Sequence, residues 1–312
     1  MIHWGINALN HGSSLAIFDS GLRRYEFFPE DTPTLPAGLN AWEWPDRVYW
    51  YEQPWLKKTR QLYAGQYKTA FDLSVLPSRY LKSIGLEKVP VTYTPHHASH
   101  AASGYYTSPF NHCAVVVLDA IGEWECASIW EGNHNELKKV WSRSYPNSLG
   151  LFYSAFTKLI NLQPIKQEFL LQQMAEQGDP WRYFSDVCKY VDINMNHCEN
   201  MHRGINDWPY PIETLQDQCD IAAAVQHVFE CQVASIMNTA KKLTKADSLV
   251  YMGGCAMNSA ANKRVVEPRF EYIWSLPQPG DPSSALGAVL YHTKNRVWDY
   301  EWGTVKHIDI KI

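Results

Sequence analysis

Cys113-Ala114-Val115-Val116-Val117-Leu118-Asp119 is a continuous apolar run that ends in a carboxylate, and the polar loop Ala120-Ile121-Gly122-Glu123-Trp124-Glu125 follows it. The run reads as a buried strand. A second strand follows at Ala127-Ser128-Ile129-Trp130, then a turn at Glu131-Gly132-Asn133 and a third strand over residues 137–142. The same order opens the chain: a strand over residues 2–7, a small polar loop over 8–13, the strand Leu15-Ala16-Ile17-Phe18, the turn Asp19-Ser20-Gly21, and a strand over 22–28. Two such units, each followed by helical sequence, predict a duplicated α/β architecture.

The segments outside these units are mostly helical. Residues 96–106 are rich in small side chains and predict a helix, as do 149–160, 168–177 and 215–243. The last of these carries a core-facing stripe that includes Ile221, Val225, Val228, Phe229, Val233, Ile236 and Met237. A short buried strand over 248–252 ends in Gly253-Gly254, and a helix is expected from about Met257. A further strand ends at Ile273-Trp274. The loop Pro279-Gly280-Asp281-Pro282-Ser283 then leads into a final helix reaching His292. Gly-rich loops between strand ends and helix starts are where α/β proteins hold ligands.

At 312 residues and 46% hydrophobic composition the chain can bury a substantial core without disulfides or structural metals. Charged residues at 19% and aromatics at 13% exclude a disordered chain. No run of about 18 apolar residues occurs, which excludes a membrane-spanning helix. The N-terminus lacks the basic and apolar regions of a signal peptide, so a soluble cytoplasmic protein is expected. The net charge of -4 gives no global footprint for nucleic acid. Seven scattered cysteines without a C-x-x-C are read as reduced thiols.

His96 and His100 are four apart on a predicted helix, so both imidazoles project from one face. Surface histidines also occur at this spacing, but it is what a divalent metal asks of a helix. Asp281 is the best candidate for a third ligand, and such a set suits iron, manganese or zinc. The loops after the two leading strands hold Asn7, His11, Ser13 and Ser14 in one half and Asp119, Gly122 and Glu123 in the other. They suit backbone approach to phosphates or ordinary hairpin turns. Gly253 and Gly254, with Asn258 entering a helix, suit backbone approach to a nucleoside. No Walker A lysine motif and no G-x-S-x-G elbow is present, and the spacings of Cys188, His197, Cys198 and His202 match no standard zinc pattern.

Taken together, these segments resemble the O-carbamoyltransferase family of nodulation and antibiotic-tailoring enzymes. The carrying stretches are Gly5-Ile6-Asn7-Ala8 through His11, His96-His97-Ala98-Ser99-His100-Ala101-Ala102-Ser103, Leu118-Asp119-Ala120-Ile121-Gly122-Glu123-Trp124, Ser148-Leu149-Gly150-Leu151-Phe152-Tyr153, Gly253-Gly254-Cys255-Ala256-Met257-Asn258, and Gly280-Asp281-Pro282 with Ala285-Leu286-Gly287-Ala288.

The resemblance implies an actin-like, ribonuclease-H-like fold of two lobes around a ligand cleft, shared with the tRNA threonylcarbamoyl transferase. The first lobe is expected over residues 1–111, with an insertion at about 29–90, and the second over 112–312. It implies a divalent metal, with iron first and manganese or zinc as substitutes, on His96, His100 and Asp281. ATP with Mg and carbamoyl phosphate are the implied co-substrates, joined as carbamoyl-adenylate. Gly253, Gly254 and Asn258 would lie along the adenosine, with Asn7, Ser13, Gly122 and Glu123 also lining the cofactor. His11, and after it Asp119, would serve as base toward an acceptor hydroxyl.

Full-length relatives carry a further C-terminal synthase-like domain. This chain stops at Ile312, so either a separate adenylate-forming protein serves it or it makes the adenylate unaided. Two departures stand out. Leu170 and Gln173 replace a lysine and a glycine of the family's pattern, and Gly12 replaces an acidic residue.

Compact members are associated with bacteriophage DNA hypermodification. DNA bearing 5-hydroxymethylcytosine is therefore the expected acceptor, in a host cytoplasm if phage-encoded. Trp42, Trp44, Tyr49, Trp50, Tyr51 and Trp55 precede the basic run Lys57-Lys58-Thr59-Arg60, and such residues stack bases and track backbones. The same aromatics would equally pack inward beneath a solvated basic face. A sugar or antibiotic hydroxyl is the alternative acceptor. A non-catalytic nucleotide- and metal-binding subunit is the alternative of another class.

Overall fold

The computed structural model of the protein describes residues 1–9, 13–21, 24–29, 44–191 and 200–297. One sheet is built from β1 (Ile2–Asn7), β2 (Ser14–Asp19), β3 (Arg24–Pro29), β4 (Arg47–Trp50) and β5 (Val91–Tyr93) in the order β3-β2-β1-β4-β5. The other holds β6 (His112–Leu118), β7 (Glu125–Asn133), β8 (Glu136–Ser144), β9 (Ser248–Met252) and β10 (Tyr272–Trp274) in the order β10-β9-β6-β7-β8. The two orders are the same topology repeated. In each sheet the leading strand pairs antiparallel with the next strand on one side and parallel with a later strand on the other. The sequence echo at residues 2 and 113 is this duplication, in the α/β two-lobe, actin-like arrangement.

The helices are α1 (Pro54–Tyr63), α2 (Tyr67–Phe71), α3 (Pro77–Ser83), α4 (His96–Thr107), α5 (Leu149–Leu159), α6 (Glu168–Ala175), α7 (Pro180–Val187), α8 (Leu215–Thr244), the short α9 (Ser259–Ala261) and α10 (Ser284–Thr293). The apolar run of β6 has a use for each side chain. Ala114, Val116 and Leu118 face a core shared with α5 and α8, while Cys113, Val115 and Val117 face a second core shared with α4 and α10. Helices α4 and α10 also pack on the first sheet through Trp4, Ile6 and Val48, so they form a layer between the sheets.

Two strands were not anticipated. β4 and β5 join the first sheet from within and just after the segment read as an insertion, with Gly5 opposite Tyr49 and Trp50 opposite Tyr93. Tyr49, Trp50 and Tyr51 are therefore core residues, with Trp50 and Tyr51 fully buried. What projects from the sheet is α1 to α3, between β4 and β5.

Small residues set the spacing of the central layer. A Cβ on Gly287 of α10 would fall 1.7 Å from the Ser99 carbonyl oxygen of α4, and one on Gly5 of β1 1.9 Å from the Ala285 carbonyl oxygen. No rotamer relieves a clash with backbone. Gly287→Ala is accordingly expected to destabilise the protein by about 3 kcal/mol, read as a lower urea midpoint. Gly280→Ala should stay within about 0.5 kcal/mol of the parent, because the nearest atoms to its added Cβ are 3.9 Å and 4.0 Å away. Equal midpoints for the two variants would contradict this account of the packing.

Candidate metal centre

Three chain segments meet at the end of the central layer. α4 begins at His96, so His96 and His100 line one face of its first turns, at 1% and 0% side-chain exposure. Asp119 follows the last residue of β6, and Asp281 opens the short turn leading into α10. Nε2 of His96 lies 3.2 Å from Oδ2 of Asp119, 3.4 Å from Oδ1 of Asp281 and 3.0 Å from Nε2 of His100. Nε2 of His100 is 3.4 Å from the same Asp281 oxygen. One ligand atom from each of the four residues falls within 4.8 Å of the others.

Hydrogen bonding alone does not account for this geometry. An imidazole nitrogen offers one proton or one lone pair, yet Nε2 of His96 faces three partners. A cation among them satisfies all at once. Metal–ligand bonds of about 2.1 Å place adjacent ligands about 3.0 to 3.4 Å apart in octahedral or tetrahedral sets, which is the spacing found here. Imidazole and carboxylate together suit iron, manganese or zinc.

A second set of contacts holds these ligands. The Gly254 N–H donates to Oδ1 of Asp119 at 3.2 Å, leaving Oδ2 for His96. Nδ2 of Asn7, at the end of β1, donates to the Asp281 carbonyl at 2.9 Å, and the Gly253 N–H donates to the Pro279 carbonyl at 2.8 Å. Gly253 has φ +92°, a left-handed conformation in which a Cβ would meet the Leu118 carbonyl oxygen at 2.2 Å. Nδ1 of His100 faces the Ser284 hydroxyl at 3.5 Å. Gly122 lets the loop after β6 lie against the His96 side chain, to which an added Cβ would come within 3.1 Å.

Glu123 has a different place from that expected of a cofactor contact. Its buried carboxylate accepts from the Gln53 N–H at 2.7 Å and from the His96 N–H at 3.0 Å and 3.1 Å, so it spans the starts of α1 and α4. Asn258 caps α9 by accepting from the Ala261 N–H at 3.0 Å, and it exchanges amide hydrogen bonds with Gln226 of α8 at 2.9 Å and 3.1 Å. Gln226 also accepts from the Tyr153 hydroxyl at 2.8 Å and donates to Glu230 at 2.8 Å. Gln226 was missed in the sequence; a glutamine inside the apolar stripe of a long helix was the available signal. Ser13 lies half-buried just before β2, where Ser14 pairs with Asn7. His11 lies outside the described residues.

Electrostatics agree with the geometry. Burial alone would lower the His96 pKa, but the Asp119 and Asp281 carboxylates outweigh it and hold it well above 6.5. Burial would raise the Asp119 carboxyl, but the hydrogen bond from His96 brings it down to about 2. Asp281 is likewise held far below its ordinary value, because its contacts with His100 and His96 overcome burial. His97 is pushed well down by burial and then by His96, and its Nδ1 meets the Ser128 hydroxyl at 2.8 Å.

An actin-like α/β protein with a candidate metal centre at its strand ends is the class that fold and site define. The chain belongs to the family described as carbamoyltransferase N-terminus, whose family model matches residues 49–290. It is 33% identical over 230 residues to the uncharacterized protein sll1178 of Synechocystis sp., covering 64% of this chain and 36% of that one. It is 25% identical over 226 residues to nodulation protein NolO of Bradyrhizobium diazoefficiens, covering 67% and 41%. The chain thus spans about two fifths or less of the length of these curated relatives. In fold it is similar to component A of the Acidaminococcus fermentans (R)-2-hydroxyglutaryl-CoA dehydratase, at TM-score 0.50 and 13% identity over 94% of this chain and 99% of that one. No helix among the described residues is long and apolar enough to cross a membrane.

A cation must displace the proton that two carboxylates hold on His96. In the metal-free protein this protonated imidazole contributes stability that is fully present below pH 6.5 and lost as pH rises through the raised folded pKa. Metal binding runs the opposite way: it should release protons at pH 7 and weaken as pH falls. Calorimetry in buffers of different ionisation enthalpy checks this. His96→Ala should leave the purified protein without its metal, and a full metal complement in that variant would contradict the assignment.

Proposed function

We propose that this chain carries out O-carbamoyl transfer. Carbamoyl phosphate would lose phosphate to water, and the resulting carbamate would attack the α-phosphorus of ATP and release pyrophosphate. The carbamoyl group would pass from that carbamoyl-adenylate to an acceptor hydroxyl. The observation that carries this reading is the convergence of His96, His100, Asp119 and Asp281 at the strand ends of a chain in this family.

A carbamoyl carbonyl is a poor electrophile, so the reaction needs a good leaving group and a focus for developing negative charge. His96, His100, Asp119 and Asp281 would hold a divalent metal, which would supply Lewis-acid stabilisation of that charge. Asp119 acts as a ligand in this scheme, because Gly254 and His96 already fix its two oxygens. The base role falls to His11, which takes the acceptor hydroxyl's proton as that oxygen attacks the carbamoyl carbon. The bond from carbamoyl carbon to the adenylate oxygen breaks, and AMP leaves with its electron pair. Gly253 and Gly254 bring backbone close to the nucleotide without a side chain between, while Asn258, paired with Gln226, shapes the adenosine end. Asn7 holds the Asp281 turn, with Ser13 and Gly122 completing the polar lining. Glu123 fixes the start of α4.

For the acceptor we propose 5-hydroxymethylcytosine in DNA. Its support is the exposure of Trp55, Tyr63, Tyr67 and Phe71, with Lys68, on the helices after β4. One observation favours a small-molecule hydroxyl instead. Trp50, Tyr51, Lys58 and Arg60, read as parts of a strand-tracking face, are all buried. Lys58 donates to the Thr69 and Asp72 carbonyls at 2.7 Å and 2.6 Å.

The test gives the purified protein ATP, carbamoyl phosphate, Fe(II) and DNA containing 5-hydroxymethylcytosine, with nucleosides read by mass spectrometry. Gain of one carbamoyl unit, lost about 100-fold in Asp281→Asn, is the expected result. AMP formation without a modified nucleoside would move the acceptor to small molecules. Absence of both would sink the carbamoyl-transfer reading for this chain on its own.

A further inference from the structure

Arg60 is the feature that carbamoyl transfer at the metal centre leaves unexplained. It enters from α1 and is only 4% exposed. Its Nε donates to the Glu123 carbonyl at 3.3 Å and its Nη1 to Oε1 of Gln66 at 3.0 Å, both neutral acceptors. Among the described residues no carboxylate comes within the 4.0 Å of an ion pair. Glu52, whose charge reaches the guanidinium, is itself paired with Lys57 at 2.9 Å. Arginines in far wetter positions do have acid partners: Arg182 meets Asp217 and Asp220 at 2.7 Å and 2.8 Å, and Arg264 meets Glu230 at 3.0 Å. A buried cation without a counter-charge is unfavourable, so a resident guanidinium of this kind calls for an anion that arrives.

The surroundings give independent support. Nδ1 of His202 is buried without a hydrogen-bond partner. The other ring nitrogen of His202 lies against Nε2 of Gln66. Burial, then Arg60, then Arg203 depress the His202 pKa, so both guanidiniums act on this spot. Arg203 itself lies within 2.8 Å of where a Cβ on Gly65 would stand. An unsatisfied buried polar atom beside an unpaired cation marks a place for a polar ligand. The place adjoins the metal centre, for the same Glu123 whose carbonyl binds Arg60 binds the His96 N–H through its carboxylate.

We propose that Arg60, together with Gln66 and His202, forms an anion subsite that takes a terminal phosphate group of a small co-substrate beside the metal centre. A guanidinium presents two parallel N–H donors that match phosphate oxygens. So recessed a cation suits a terminal phosphate, whereas a phosphodiester needs room for chain on both sides. The proposal rests on the carbamoyl-transfer reading only in naming carbamoyl phosphate as that co-substrate.

The test titrates inorganic phosphate into the chelator-treated protein by calorimetry, so the metal centre does not contribute. Saturable binding is expected, weakened at least tenfold in Arg60→Met. Gln66→Glu places a resident carboxylate against Arg60, and it should raise the melting temperature while weakening phosphate at least tenfold. That variant decides the matter where Arg60→Met does not fold. No saturable binding by the parent, or unchanged binding by Gln66→Glu, overturns the proposal. So does preferential binding of thymidylyl-thymidine, a phosphodiester without a terminal phosphate. Phosphate binding without carbamoyl transfer to any acceptor would sink the transfer reading and leave this one standing.

Discussion

The close contact of α4 with α10 is the constraint on which the site depends. α4 supplies two imidazoles and the turn before α10 supplies a carboxylate, so the two helix starts must lie within the reach of one ion. Gly287 makes this possible by leaving the Ser99 carbonyl room that a methyl would take. Around this pair the sheets contribute from opposite sides, β1 through Asn7 and β6 through Asp119. A cluster of two imidazoles and two carboxylates drawn from residues 96 to 281 is therefore a product of packing.

The duplicated topology explains why the site lies where it does. Each sheet places the carboxyl end of its leading strand at the same edge of the central layer, and each of those ends leads into a polar residue. Asn7 is the last residue of β1, and Asp119 follows the last residue of β6. Asn7 braces the Asp281 turn, and Asp119 faces His96. The parallel partner β9 adds Gly253 and Gly254, whose N–H groups hold Asp119 and the loop before Asp281.

Much of this was legible in the sequence because it is local. The apolar run at 113–118, the repeat of strand and turn signals, and the four-residue spacing of the histidines all act through neighbouring residues. β4 and β5 were not legible. A four-residue strand reading Arg-Val-Tyr-Trp, covered on both faces, gives no alternation to distinguish it from an aromatic-rich loop. Lys58 and Arg60 looked like a solvated basic face because helical periodicity does not say which side meets a partner. Their burial depends on Thr69, Asp72, Gln66 and Glu123, contacts set by the fold. Asp119 was expected as the second candidate for the base, and only its distance to His96 makes it a candidate fourth ligand.

The central claim is that His96, His100, Asp119 and Asp281 close on one divalent ion. X-ray absorption at the metal edge of the iron- or zinc-loaded protein tests it most directly. The account predicts two imidazole ligands, seen through their multiple scattering, with oxygen ligands at about 2.0 to 2.2 Å. A spectrum with one imidazole or none, or with sulfur in the first shell, would contradict it.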